Sequence, residues 1–285
     1  MDTPILKMIE PEIDANIPTR RYFMLLAYNG LSFHGWQRQP SDMSVQQAIE
    51  EAMATALRLP QIAITGAGRT DAGVSAARMI AHFDLPETIE VTGENEQRIL
   101  RALNSLLAPN IVICKIWEVA ANAHARFDAI SRTYRYFAHT SRSPFTGEMS
   151  WLAPANLDFD AMNIAAKVLL ETEDFTSFSK LHTDVKTNIC HVTYAAWRPQ
   201  GEGDSNNVAP DAIVSGKPTR WVFEITADRF LRNMVRAVVG TLVEVGRGKL
   251  TIDGFRDVIA RRDRCAAGTS MPAGPLFLHD IKYPY

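Results

Sequence analysis

"GAGRTDAGVSAAR", residues 66–78, stands between two apolar runs, and its reading decides what kind of sheet surrounds it. It begins like the dinucleotide-binding turn G-x-G-x-x-G, but its sixth position is Asp71. That turn requires glycine there, a helix opening from it and a parallel βαβ unit, because the helix N-terminus receives the pyrophosphate. A carboxylate would oppose that charge, and the residues that follow, Met79 to Phe83, read as a strand. The Gly-Lys-Ser/Thr of a P-loop is absent as well. The stretch therefore connects two strands, with Ile62 to Thr65 as the one before it, and both nucleotide-cradling folds are excluded.

Working outward, residues 21–28 read as a strand closed by the turn-forming Asn29-Gly30. Ser44 opens a helix, and Gln47 three residues later completes a capping-box pattern. A helix over about 94–107 and a strand over 111–119 follow. The second half repeats that order: strand 132–139, helix 160–171, strands 189–197 and 220–225, a long helix over 229–245 entered at Asp228, and a closing strand 276–283. An additional helix over about 251–261 precedes the last strand. Each half matches the split β-α-β-β-α-β pattern. The expected fold is α+β, with two related subdomains (21–120 and 121–285) and mainly antiparallel sheets. Residues 1–20 read as an acidic, partly disordered lead-in, and 199–218, rich in Gly, Asn, Asp, Ser and Pro, as an exposed loop.

The formal net charge of −2 neither requires nor forbids nucleic acid, so any such site is a local basic patch. Cys114, Cys190 and Cys265 lack C-x-x-C spacing, which argues against a disulfide framework or thiolate zinc site and fits a reducing cytoplasm. No apolar run reaches the ~18–20 residues of a membrane span. The seven histidines form no H-E-x-x-H cluster, so no metal is expected.

Three stretches carry chemistry. In the 66–78 loop, Arg69 and Asp71 form a charged couple, with Gly68 and Gly73 as the bending points. By pattern alone the loop reads first as a bland hairpin connection and only second as a ligand-binding turn. In "RFDAISRTYRYFAHTSR", residues 126–142, Arg126, Arg132, Arg135 and Arg142 alternate with aromatic residues. That is a core strand with a solvated basic face, or a stacking platform for an unpaired base. In the 229–245 helix, Arg229, Arg232 and Arg236 follow one stripe. Arg236, between Val235 and Ala237, is the one expected to be partly buried, and a buried guanidinium needs a carboxylate such as Asp71.

Taken together, "FHGWQRQ" (33–39), "GRTDAGVSA", "HARFDAISRTYRY" (124–136), "DFTSF" (174–178), "FLRNMVRAVVGTLVEVGRGK" (230–249) and "GPLFLHDIKY" (274–283) resemble the TruA family of tRNA pseudouridine synthases, in family order from residue 21 onward. The resemblance implies a pseudouridine synthase fold with a central RNA-binding cleft and conversion of uridine to its C-glycoside isomer at tRNA positions 38 to 40. It implies no cofactor, and a homodimer that shares one tRNA. It makes Asp71 the essential aspartate, Tyr134 the tyrosine that stacks on uracil, Arg236 the partner of the aspartate and Arg69 the base-flipping arginine. Leu276 becomes the apolar pocket floor, and Gln37, Arg38, Arg126 and Arg232 become substrate contacts. Two departures stand out: Ser75 replaces a common His, so an RNA contact there is expected to differ, and Pro275 replaces a common Gly, which is expected to shift Leu276 slightly. Two competing readings remain, a noncatalytic binder of two RRM-like units and a related synthase acting on other RNA uridines. Asp71 speaks against the binder, which has little use for a carboxylate beside phosphates.

Overall fold

Strand β1 (Thr19–Tyr28) buries Tyr22, Phe23 and Met24 in succession, so it is covered on both faces. It pairs antiparallel with β3 (Ser75–Pro86) on one side and β4 (Ile111–Glu118) on the other. The short β2 (Thr65–Gly66) adds to β3. In the rest of the chain β5 (Ser131–His139) lies antiparallel to both β8 (Arg220–Ala227) and the closing β9 (Leu276–Lys282). Beyond β8 runs β7 (Val192–Pro199), while β6 (Trp151–Leu152) adds two residues to β5. The computed structural model describes residues 18–142, 144, 146–180, 187–200 and 219–285.

The strands form one sheet in the order β4-β1-β3-β9-β5-β8-β7, antiparallel except at β3–β9 and β5–β6. The β3–β9 junction is two residue pairs long, Ser75 with Phe277 and Ala76 with Leu278. It makes the sheet continuous where the sequence reading expected separate sheets. Two apolar clusters lie along it. One gathers Phe23, Met24, Ile49 and Ile113, the other Tyr136, Phe178, Phe223 and Leu242. Strand β9 serves both, with Leu278 and Ile281 in the first and Leu276 in the second, and Tyr134 packs against each. The last strand in sequence thus lies at the seam of the sheet.

Helix α1 (Val45–Leu57) starts as its sequence dictates, the Ser44 hydroxyl accepting from the Gln47 N–H at 3.1 Å. The reciprocal half of the box does not form, because the Gln47 amide turns to Glu51 at 2.9 Å. Helices α2 (Gly93–Leu106) and α3 (Phe159–Lys167) stand where periodicity puts them, the second tightening into a 3-10 turn, Val168–Leu170. The long helix, α4 (Met234–Gly246), begins five residues later than expected. Asn233 sits at φ 67°, a left-handed conformation that a helix interior cannot contain, so Arg229 and Arg232 approach in irregular chain. Helix α5 (Ile252–Ala260) is capped by Thr251.

Other boundaries move with pairing. The first short strand is Thr65–Gly66 rather than 62–65, and β3 starts at Ser75, which cuts the quoted loop to residues 67–74. Register against β8 starts β7 at Val192 instead of 189. Residues 1–17 of the acidic lead-in and 201–218 of the expected loop lie outside the described residues, whereas Thr19 and Arg20 already belong to β1. No helix among the described residues is long and apolar enough to cross a membrane.

Candidate active site

The 67–74 loop is fixed by its own backbone and by "FHGWQ". Ala67 N–H donates to Ile80, Gly73 N–H to Phe33, and Trp36 N–H to Thr70. The Thr70 hydroxyl meets the Tyr28 phenol at 2.9 Å inside the core. Gly35, at φ 89°, approaches so closely that a Cβ there would stand 2.5 Å from the Thr70 carbonyl. Gly73, at φ 81°, turns the chain into β3, while Gly68 has ordinary φ and open space, so it is not the bending point expected of it. Arg69 is exposed, with no hydrogen-bond or ion-pair partner among the described residues.

Between these anchors Asp71 projects its half-buried carboxylate to two arginines. Arg236 Nη1 lies 3.8 Å from Oδ2 and Arg232 Nε 3.4 Å from Oδ1. Arg236, in the first turn of α4, donates through Nε to the Met271 carbonyl at 2.6 Å, which aims its remaining nitrogens. Its side chain is 22% exposed against 59% for Arg232, so one cation is fixed and the other wet. Arg236 is the partner the sequence suggested. Arg232, expected to meet substrate, also reaches the carboxylate.

Tyr134 enters from β5, edge-on to Phe230 at 5.0 Å between ring centroids. Burial, with the Asp71 charge adding to it, pushes its hydroxyl pKa up to about 12. The group is therefore a neutral phenol at pH 7. Leu276 is buried opposite Tyr136, two residue pairs along from Tyr134–Leu278. Its N–H donates to Ala273 and the Pro275 carbonyl accepts from Phe137, so Pro275 fits the strand entry.

The remaining candidates divide. Gln37 is exposed, and Arg38 has its guanidinium 3.1 Å from the buried Glu50, which also accepts from the Ile64 N–H, so it is partly committed to the loop's foundation. Arg126 is exposed beside Phe127. Ser75 is fully buried and accepts from the Gly30 N–H at 3.0 Å. It supports the loop from within and is not available as an RNA contact. Arg135 pairs with Glu224 at 2.6 Å, which takes it out of the free basic set offered by residues 126–142.

Arg132 also leaves that set, for a reason the sequence concealed. Among the described residues no carboxylate lies within ion-pair distance of it; Nη1 donates to the carbonyls of Ala129 and Asp228, both at 2.8 Å. Nη2 donates to Ala67 at 3.2 Å and Arg126 at 2.5 Å. Burial pulls its pKa down, the cost of holding a cation against neutral carbonyls. One side chain thus ties the root of the Asp71 loop to the 126–129 turn and to the entry of the arginine segment. Main-chain acceptors carry no residue-type signal, so no motif could have revealed this clamp.

The chain is similar to known proteins along most of its length. A family model described as tRNA pseudouridine synthase matches residues 165–284. The chain is 55% identical over 265 residues to tRNA pseudouridine synthase A of Parabacteroides distasonis, covering 93% of this chain and 96% of that protein. The chain belongs to the tRNA pseudouridine synthase family. Its likeness to the Bacteroides thetaiotaomicron protein of the same name is 49%, over 93% of this chain and 91% of that protein. To the Bacillus pumilus one it is 35%, over 90% and 97%. The match runs through both halves of the sheet, so the Asp71 loop and the arginine segment both lie inside it.

Proposed function

We propose that the protein isomerises uridine to pseudouridine in the anticodon stem-loop of tRNA, at positions 38 to 40, with Asp71 as the reacting carboxylate. The observation that carries this reading is one carboxylate suspended between Arg236 and Arg232 with the phenol of Tyr134 in its field. A purely RNA-binding surface has no use for such a group. The isomerisation breaks the bond from the anomeric carbon to N1 and forms one to C5, while C5 loses a proton and N1 gains one. Atoms and electrons balance within the nucleotide, so no cofactor is consumed.

A uridine within a stem cannot present its glycosidic bond until it leaves the stack, at a cost of a few kcal/mol. Arg69, unengaged at the loop edge, is placed to fill the gap. The extruded uracil would lie on the Tyr134 ring above Leu276. Arg236 keeps the carboxylate aimed, whether it attacks the anomeric carbon, removes a sugar proton or adds to the ring. With its pKa pushed up to about 12 by burial, Tyr134 is a neutral phenol at pH 7. Its part is therefore to stack and to relay a proton as a hydroxyl, accepting only as it donates. Arg232 is the cation free to leave Asp71 and follow a phosphate, with Gln37, Arg38 and Arg126 as outlying contacts.

In this reading residues 21–120 and 121–285 are two related subdomains, one supplying Asp71 and the other Tyr134 and Arg236. Their seam at β3–β9 floors a central RNA-binding cleft. The working enzyme is a cytoplasmic homodimer that shares each tRNA. Asp71→Ala and Asp71→Asn should lower pseudouridine formation on a tRNA transcript by at least about 10^4-fold. Affinity for the transcript should stay equal or tighten, since two arginines are released. Substantial isomerisation by either variant would sink the assignment.

A further inference from the structure

Phe127 is the most exposed large apolar side chain among the described residues, at 75%, yet it is built into place. Its ring centroid lies 4.2 Å from that of His124, the planes tilted by 32°. His124 in turn meets the buried His82 edge-on at 4.5 Å. The turn that carries Phe127 is closed by four hydrogen bonds, one of them from the Asp128 N–H to the His124 carbonyl at 3.1 Å. His124 Nδ1 accepts from the Arg126 and Phe127 N–H groups at 3.1 and 3.3 Å, and Asp128 accepts from the His124 N–H at 2.7 Å. His82 Nδ1 accepts from the Ala125 N–H at 3.2 Å. Three rings therefore stand in file from the core to solvent, and the outermost presents its surface to water.

Two further facts say what belongs there. The exposed Arg126 holds its guanidinium carbon over the Phe127 ring, 5.9 Å from the centroid, so an exposed apolar ring and a mobile surface cation are offered together. The Arg132 guanidinium bonds the carbonyls of both Arg126 and Ala67, so this turn abuts the root of the Asp71 loop. Ala67 is four residues from Asp71, which places the ring within roughly 25 Å of the reacting carboxylate. A plane for stacking beside a cation for phosphate is how unpaired nucleotides are held.

We propose that the Phe127 ring, backed by His124 and flanked by Arg126, is a docking platform for a second, unpaired base of the RNA substrate, outside the pocket that receives the reacting uridine. The proposal rests on the isomerase reading for its ligand class. The base stacks on the outer face of the ring while Arg126 meets the adjoining phosphate. Pre-ordering by the His82–His124 file means that binding does not have to immobilise the ring, which favours affinity.

The test compares wild type, Phe127→Ala and Phe127→Trp for affinity to an unmodified tRNA transcript at fixed salt, for KM and kcat, and for mass in solution. Phe127→Ala should weaken binding about tenfold, within the range for loss of one base–aromatic stack, and the loss should appear in KM. Phe127→Trp should hold affinity within about twofold, since stacking tolerates any large ring. Unchanged affinity in Phe127→Ala would overturn the proposal. So would a fall in mass with affinity per protomer preserved, which would assign the ring to a second copy of the chain. Failure of the isomerase reading would show differently, as wild type binding the transcript without modifying it.

Discussion

The loop that carries Asp71 and the segment that carries Arg232 and Arg236 meet at one carboxylate but are held in opposite ways. The loop is short, its backbone bonded to β3 and to the 33–36 stretch, its Thr70 locked onto Tyr28. The arginine segment is irregular up to Asn233 and becomes helical only at Met234. Its two cations differ accordingly, Arg236 tied to Met271 and Arg232 mostly in water. A fixed carboxylate with one fixed and one movable cation can stay paired while empty and still release a cation to an arriving phosphate.

The comparison breaks most sharply at Arg236. Arg236→Ala should cut kcat/KM by about 10^3-fold, on the order of 4 kcal/mol, because the carboxylate loses its aim and its main charge partner. A loss under tenfold in pseudouridine release would mean that the wet arginine suffices. At the join between the two regions, Arg132→Met leaves four carbonyls without their donor. It should lower stability by on the order of 3 kcal/mol in a denaturant melt. Turnover measured well below that melt should fall as well, since loop and segment are no longer registered. Arg132→Lys should not restore it, because one ammonium cannot span the four acceptors. Wild-type turnover in folded Arg132→Met would show that the clamp serves stability alone. The smallest effect belongs to Arg232→Gln, with kcat/KM reduced about three- to tenfold, chiefly through KM, and a shallower salt dependence of tRNA binding by about one phosphate contact. A kcat loss matching that of Arg236→Ala would erase the distinction between the two cations.

Much of this was legible beforehand. Asp71 raised a question because a carboxylate contradicts the phosphate-binding turn that its glycines imitate, though pattern alone favoured a plain hairpin there, and the apolar neighbours of Arg236 foretold its partial burial. Elements with long periodic runs, such as α1, β1 and β5, lie within a few residues of their expected bounds. The start of α4 was missed because residues 229–233 keep helical spacing of side chains while the backbone at Asn233 turns left-handed, which no side-chain pattern records. Arg132 and Arg135 look alike on one strand, yet one faces four carbonyls and the other Glu224.

By itself the amino-acid sequence determined the alternation of strands and helices, the exclusion of nucleotide-cradling turns and the family to which the motifs point. Those properties follow from side-chain type and local periodicity, which act within a few residues. The tertiary structure alone decided that β9 would join the halves into one sheet, that Ser75 would face inward, and that Arg232 would share Asp71 with Arg236. These depend on backbone carbonyls, register and approach between segments up to 202 residues apart, Ser75 and Phe277 among them. Main-chain groups are identical at nearly every position, so only the folded chain can say which of them a side chain will meet.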